Sequence, residues 1–213
     1  GNQEKALFYL RAAAEKAKRE YANQAAIDAI IKQKAFPALV TFIQGFGDSR
    51  GGWSATTGKE KGFGEDYWFR TAANYAGIWW NCGEEVIYYI GEKDDSGEQL
   101  DGGNVYTIHF TSDELPEKHV NAYWSLTMLS LPDYRVVPNR LDRYNFNSLS
   151  QFEFEPDGSL KLYLSDSLPT GAPLSNWLPA PQGKAFTLNL RMYVPKQEVL
   201  SGDYYVPPLK KIN

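Results

Sequence analysis

"KAFTLNLRMYVP", residues 184–195, decides how this chain folds. Phe186, Leu188, Leu190 and Met192 occupy every second position, with Asn189, Arg191 and Tyr193 between them. A side-chain period of two marks a strand that turns one face to a core and the other away from it. The same period recurs upstream. "NVYTIHF" (104–110) sets Tyr106, Ile108 and Phe110 against Thr107 and His109, and "NAYWSLTMLS" (121–130) sets Ala122, Trp124, Leu126 and Met128 against Tyr123, Ser125 and Thr127. "EVIYYIG" (85–91) reads as a strand, followed by a turn or loop over "EKDDSGEQLDGG". "FEFEPDGSLKLYLS" (152–165) reads as a hairpin in which Pro156-Asp157-Gly158 turns the chain and Leu160, Leu162 and Leu164 face inward. Strands that follow one another without intervening helices predict an antiparallel sandwich or jelly roll.

Before residue 83 the period is helical. Leu7, Leu10, Ala14, Ala17 and Tyr21 recur at three- and four-residue steps, and Ile27, Ile30 and Ile31 continue the stripe, so a helix is expected over 3–35 with a break at Pro37. Residues 45–64 are rich in glycine, hydroxyl and charge and read as a loop. A second helix is expected from Glu65 to Trp79, its acidic start suited to a helix N-terminus and its apolar stripe formed by Tyr67/Trp68, Thr71/Ala72 and Tyr75/Ala76. The expected fold is therefore mainly β: an antiparallel jelly-roll-like β-sandwich over 83–213, with a helical extension over 1–82 that includes the Gly-rich loop and packs on the sandwich.

Composition excludes several functions. The 213 residues are 43% hydrophobic and 23% charged, the profile of an ordinary globular protein. Net charge is −4 and cationic residues are scattered, which argues against nucleic acid as partner, since phosphate recognition needs clustered Lys and Arg. No apolar run approaches the roughly 20 residues that span a bilayer. Cys82 stands alone, so disulfides say nothing about compartment. Gly1, set directly against helix-like sequence, reads as a trimmed end, consistent with export after removal of a signal peptide. Aromatics reach 15%, with 6 Trp and 14 Tyr, which serve first as strand formers and core filler and, where exposed, as ligand platforms.

Candidate chemistry is sparse. "FGDSRG" (46–51) has the Gly-x-Ser-x-Gly spacing of a nucleophile elbow at Ser49, but the chain has only His109 and His119 to act as base, and no strand–helix alternation follows. Cys82, His109 and His119 lack the short paired spacing of a zinc site, and Asp94-Asp95-Ser96-Gly97 lacks calcium-loop spacing, so neither metal nor cofactor is expected. The polar strand positions carry more. Thr107, His109, Tyr123, Ser125, Thr127, Asn189, Arg191 and Tyr193 form either a solvated sheet face or a groove where Arg191 holds an anion and tyrosines stack on a ligand. "SNWLPAPQG" (175–183) frames Asn176-Trp177 with prolines that pre-order the loop, and predicts a buried Trp177 with Asn176 bonded to backbone.

Several separated motifs occur together in order: "GFGEDYWFRTAANYAGI", "LDGGNVYTIHF", "AYWSLTM", "NRLDRYN", "DGSLKLYL", "NWLPAP", "FTLNLRMYVPK" and "VLSGDYYVPP". Together they resemble the family known as domain of unknown function 1214, over about residues 50–213. In longer relatives this forms the C-terminal half, behind a domain numbered 1254, and the resemblance is expected to cover the 1214 half alone. It implies a jelly-roll-like fold and no enzyme class. Matching motif residues are Trp124-Ser125, Asn139, Arg143-Tyr144, Asn176-Trp177, Arg191 and Tyr193. "IWWNCGEEVIYY" departs from the family pattern with its Trp pair and Cys82, so nothing is carried over through that segment. The expected function is a binding module for an amphiphilic or carbohydrate-like small molecule, with Tyr123, Ser125, Arg143, Asn176, Trp177, Arg191 and Tyr193 as candidate ligand contacts. A protein partner is expected through residues 75–90. The alternatives are a hydrolase with residues converging from separate strands, and a structural or partner-docking domain.

Overall fold

The fold is taken from a computed structural model that describes residues 2–20, 24–44, 47–55, 63–77 and 81–212. The chain divides into two compact units, residues 1–46 with 66–78 and residues 47–65 with 79–213.

In the first unit the described residues of the expected helix over 3–35 are helical, as α1 (Asn2–Glu20), α2 (Gln24–Ile30) and a π-helical turn at Ile31–Ala35, with residues 21–23 outside the described residues; the turn runs on into α3 (Phe36–Gln44). Pro37 does not end the helix; it is the second residue of α3. Proline lacks an N–H, and its ring crowds the carbonyl four residues back. The Phe36 N–H reaches instead to the Ile31 carbonyl, five residues back, and this wider turn takes up the proline. Helix α4 (Tyr67–Gly77) starts at an Asp66 cap whose Oδ1 accepts from the Phe69 N–H at 2.8 Å. Its buried residues are Phe69, Ala72 and Ala73, so Ala72 alone of the expected stripe is buried, and Tyr67, Trp68 and Tyr75 are exposed. The reason is local: α4 is apolar on more than one side, so period alone does not single out a face. Tyr75 meets Phe36 edge-on at 5.4 Å, and Trp68 meets Phe42 at 6.1 Å. Ile30 and Ile31 are exposed. The side chains of Leu7 and Leu10, and all of Tyr21, Trp79 and Trp80, lie outside the described residues.

The second unit holds β1 (Asp48–Arg50), β2 (Trp53–Ala55), β3 (Val86–Gly91), β4 (Val105–Phe110), β5 (Val120–Ser130), β6 (Arg135–Val136), β7 (Asn145–Asn147), β8 (Leu160–Ser165), β9 (Trp177–Pro179), β10 (Phe186–Pro195) and β11 (Lys210–Ile212). A seven-stranded sheet runs β1-β2-β3-β10-β5-β6, with β7 also on β5, and a four-stranded sheet runs β11-β4-β8-β9. Pairing is antiparallel except between β8 and β9. The alternating run 186–195 becomes β10, between β3 and β5. Its inward set joins Tyr89, Trp124, Leu126 and Met128 from the large sheet and Ile108, Phe110, Leu162 and Leu164 from the small one in a single buried cluster. Each such side chain contributes about 1.5–3 kcal/mol on burial, so this shared core carries the unit.

Three expectations need correction here. Residues 48–55, read as loop, form a hairpin whose turn glycines Gly51 and Gly52 have φ of 56° and 87°. Two positive φ values in a two-residue connection are what a tight hairpin requires, and glycine supplies them without strain. The second half is not free of helix, because α5 (Gln197–Ser201) follows β10 and closes on Gly202 at φ 81°. Finally, residues 152–155 are not a strand, although the turn after them forms as expected, with Glu155 N–H bonded to Ser159 O at 2.9 Å. Strand β8 has β4 on one edge and β9 on the other, so no edge remains for the first arm.

Candidate functional site

Alternation on β10 places Asn189, Arg191 and Tyr193 on the face of the large sheet that turns away from the core. Register then assembles the rest in cross-strand rows. Ser54, Ile90, Asn189, Thr127 and Asn145 form one row, and Tyr88, Arg191, Ser125 and Asn147 the next. Val86, Tyr193 and Tyr123 form a third. The short hydroxyl residues are buried, with Ser125 at 5% exposure, Thr127 at 8% and Thr187 at 2%. The taller Tyr88, Tyr123, Asn145, Asn147, Asn189, Arg191 and Tyr193 are half-buried. The result is a low hydroxyl floor with amides, phenols and a guanidinium standing around it.

Hydrogen bonding on this face is incomplete among the described residues. Arg191 Nη2 donates to Thr127 Oγ1 at 3.0 Å, a diagonal neighbour across the strand pair. Arg191 Nε and Asn189 Oδ1 are both buried and without a partner. Asn147 Nδ2 donates to Asn145 Oδ1 at 2.8 Å, and Tyr88 Oη donates to Asn81 Oδ1 at 3.2 Å. Tyr123 and Tyr193 lie 5.9 Å apart with rings tilted by 49°. Burial pushes the Tyr88 phenol above its ordinary value, Tyr193 adds to this, and Arg191 opposes it. The phenol is thus a neutral hydroxyl near neutral pH. Next to Tyr193, Val194 takes φ 50° where the β10–β5 register shifts, an unusual conformation for a β-branched residue.

Four of the candidate contacts, Tyr123, Ser125, Arg191 and Tyr193, share this face. The other three, Arg143, Asn176 and Trp177, form a separate corner. Asn176 is buried at 2% exposure and acts as a surrogate strand partner: its Oδ1 accepts from the Glu153 N–H at 3.0 Å, and its Nδ2 donates to Glu153 O at 2.7 Å and Lys161 O at 3.1 Å. Trp177, also at 2%, donates Nε1–H to Ser165 O at 3.1 Å. Arg143 Nη1 donates to the Trp177 carbonyl at 2.8 Å and to the Leu174 carbonyl. Thr107 and His109 belong to β4 in the small sheet, so the polar positions sort onto two sheets.

Ser49 is exposed on β1, and the next element is its hairpin partner rather than a helix. His119 is clasped by Glu198 Oε1 at 3.0 Å on Nδ1 and by the Asp113 carbonyl at 2.8 Å on Nε2, with its ring stacked on Tyr204 at 3.9 Å. Asp94 Oδ1 closes its turn by accepting from Ser96 N–H, Ser96 Oγ–H and Glu98 N–H. No group of three His, Cys, Asp or Glu residues suited to a metal occurs among the described residues, and none of their helices is long and apolar enough to cross a membrane. Within 75–90, Tyr75 is exposed, Tyr89 is buried in the core, and residues 78–80 lie outside the described residues.

Sequence reading missed Tyr88, Asn145 and Asn147. Strand β3 is apolar throughout, so its alternation shows no polar face. Strand β7 has three residues, too few to display a period, although Phe146 between the two asparagines was a usable signal.

Fold and face together define a mainly antiparallel, two-sheet β protein with a guanidinium set among hydroxyls, amides and phenols on the larger sheet. The chain belongs to the family described as a protein of unknown function (DUF1214), which it matches over residues 85–197. It is similar to the crystal structure of the VPA0106 protein from Vibrio parahaemolyticus, with a TM-score of 0.61 and 24% identity, over 89% of this chain and 45% of that one. That likeness shows the fold, and the chain spans less than half the length of the Vibrio protein. A weaker similarity, with a TM-score of 0.34 and 16% identity, links 60% of this chain to 28% of an uncharacterised protein from Burkholderia cenocepacia. No curated protein matches.

Proposed function

We propose that this chain is a binding module of jelly-roll-like build that holds a carbohydrate-like or amphiphilic small molecule on the polar face of its large sheet. The observation that supports this reading best is the burial of Ser125 and Thr127 on the face of the large sheet opposite the shared core. A sheet face built only for solvation leaves such hydroxyls wet. Here they lie among Tyr88, Tyr123, Tyr193 and the Arg191 guanidinium, the mixture of flat apolar surface and directed polar groups that small-molecule sites use. None of these groups has the nucleophile–base geometry of a hydrolase, which favours binding over catalysis. The test is titration with sugars, sugar acids and short amphiphiles, followed by tyrosine resonances assigned to Tyr123 and Tyr193. Arg191→Gln should weaken any binding by about tenfold or more, as expected for a charge-assisted hydrogen bond worth about 1.5–3 kcal/mol. If ligands instead perturb residues of the small sheet and leave Tyr123 and Tyr193 unmoved, the face has been misassigned.

A further inference from the structure

Two buried atoms on the polar face carry more information than the rest. Arg191 Nε offers a hydrogen and Asn189 Oδ1 accepts one, yet among the described residues neither has a partner. Unmatched buried polar atoms are unfavourable by about 1–3 kcal/mol each, and native chains keep few of them. The residues are two apart on one strand, so their backbones are about 7 Å apart on the same face. A carboxylate by itself cannot match both. The guanidinium nitrogen needs an acceptor, best an anionic one, and the amide oxygen needs a donor, which a carboxylate does not have.

We infer that the ligand of this face is a hydroxylated carboxylate, a sugar acid or hydroxy acid, rather than a neutral sugar or a fatty acid. The inference rests on the ligand-binding reading above. Both atoms are covered as they stand, so the two side chains turn outward on binding; a carboxylate then meets Arg191 and an adjacent hydroxyl donates to Asn189, and one molecule satisfies both. A fatty acid leaves Asn189 unmet, and a neutral sugar leaves the guanidinium without a counter-charge. Among the described residues of the three rows, Arg191 is the charged group and the others are neutral, which matches a monoanion better than a phosphate dianion. The tilted Tyr123–Tyr193 pair supplies flat surface for the C–H face of a sugar ring.

Calorimetric titration of the chain at neutral pH with D-glucuronate, D-glucose, hexanoate and glucose 6-phosphate tests this directly. Glucuronate should bind at least tenfold more tightly than glucose and hexanoate, and more tightly than the phosphate. Asn189→Asp, which puts a second negative charge beside the carboxylate, should weaken glucuronate at least tenfold. If that variant does not fold, the four-probe comparison on the unaltered chain decides alone. Glucose or hexanoate binding as tightly as glucuronate overturns the sugar-acid assignment and leaves the binding face standing. Tighter binding of glucose 6-phosphate overturns the carboxylate. Absence of binding by all four, with Tyr123 and Tyr193 resonances unmoved by the wider ligand panel, overturns both readings.

Discussion

At Asn176 and Trp177 a proline-framed loop serves as a fastening. Asn176 gives residue 153 the two hydrogen bonds that a strand neighbour would give, and the Trp177 indole is spent on Ser165. Trp177→Ala should destabilise the unit by about 3–5 kcal/mol, the range for deleting a large buried aromatic, as read from urea denaturation. A loss below about 1 kcal/mol would mean that the ring is dispensable to packing. Val194 makes the opposite case. At φ 50° and 45% exposure it loses little burial on truncation and carries left-handed strain of about 1–2 kcal/mol. Glycine raises the unfolded-state entropy by the equivalent of about 0.5–1 kcal/mol. Val194→Gly should therefore raise stability by about 0.5–1 kcal/mol, and a lower melting temperature would show that the strain estimate is wrong. The Trp177 fastening was legible in the sequence, because prolines restrict themselves and their neighbours. The Val194 strain was not, because it arises where β10 slips register against β5, a relation between distant segments.

Among the elements, alternating strands were legible wherever a strand was long and two-faced, as in β4, β5 and β10. Short or wholly apolar strands were not. Pairing was not legible either: nothing in 152–165 announces that β8 takes β9 as a parallel neighbour and excludes the expected hairpin arm. Gly91 shows how tightly such pairing constrains a residue. It lies between Trp53 of β2 and Leu188 of β10, and a Cβ there would come within 2.8 Å of the Trp53 ring and of Leu209 Cδ1. The leucine can turn away, but Trp53 is buried and held by its Nε1–H bond to Pro207 O at 2.9 Å. Gly91→Ala should lower stability by about 1–3 kcal/mol, as overpacking does. An unchanged denaturation midpoint would mean that the Trp53 ring has room to move.

For the whole molecule, charge predicts the acid limb of stability. Glu198 is held below the ordinary carboxylate value by its own backbone N–H and then by His119. Asp94 is lowered too: burial opposes ionisation, but hydrogen bonds from Ser96 and Glu98 outweigh it. A carboxyl depressed in the folded state adds stability that is fully present above its unfolded value and is lost as pH falls through the folded one. Stability should therefore be level with respect to these groups near neutrality and fall once pH drops below the ordinary carboxylate range. Glu198→Gln should make that fall shallower in denaturation midpoints measured across pH. An acid limb unchanged by the substitution would show that the clasp on His119 contributes nothing. Of the candidate face, the sequence disclosed the β5 and β10 halves through their period. The contributions of β3 and β7 needed the register.

The position of β10 has a consequence for how the chain reaches this state. The strand at the middle of the large sheet, between β3 and β5, comes from residues 186–195, about a hundred residues after β3. A ribosome adding about 5–20 residues per second leaves β3 and β5 outside the tunnel for several seconds before the strand that separates them exists. During that time Tyr89, Leu126 and Met128 lack their β10 neighbours Leu188 and Leu190, and the facing edges of β3 and β5 stay open to other chains. The nascent protein is thus exposed to mispairing until residues 186–195 have been made, and its yield in a cell should respond to holdase chaperones more than its equilibrium stability would suggest.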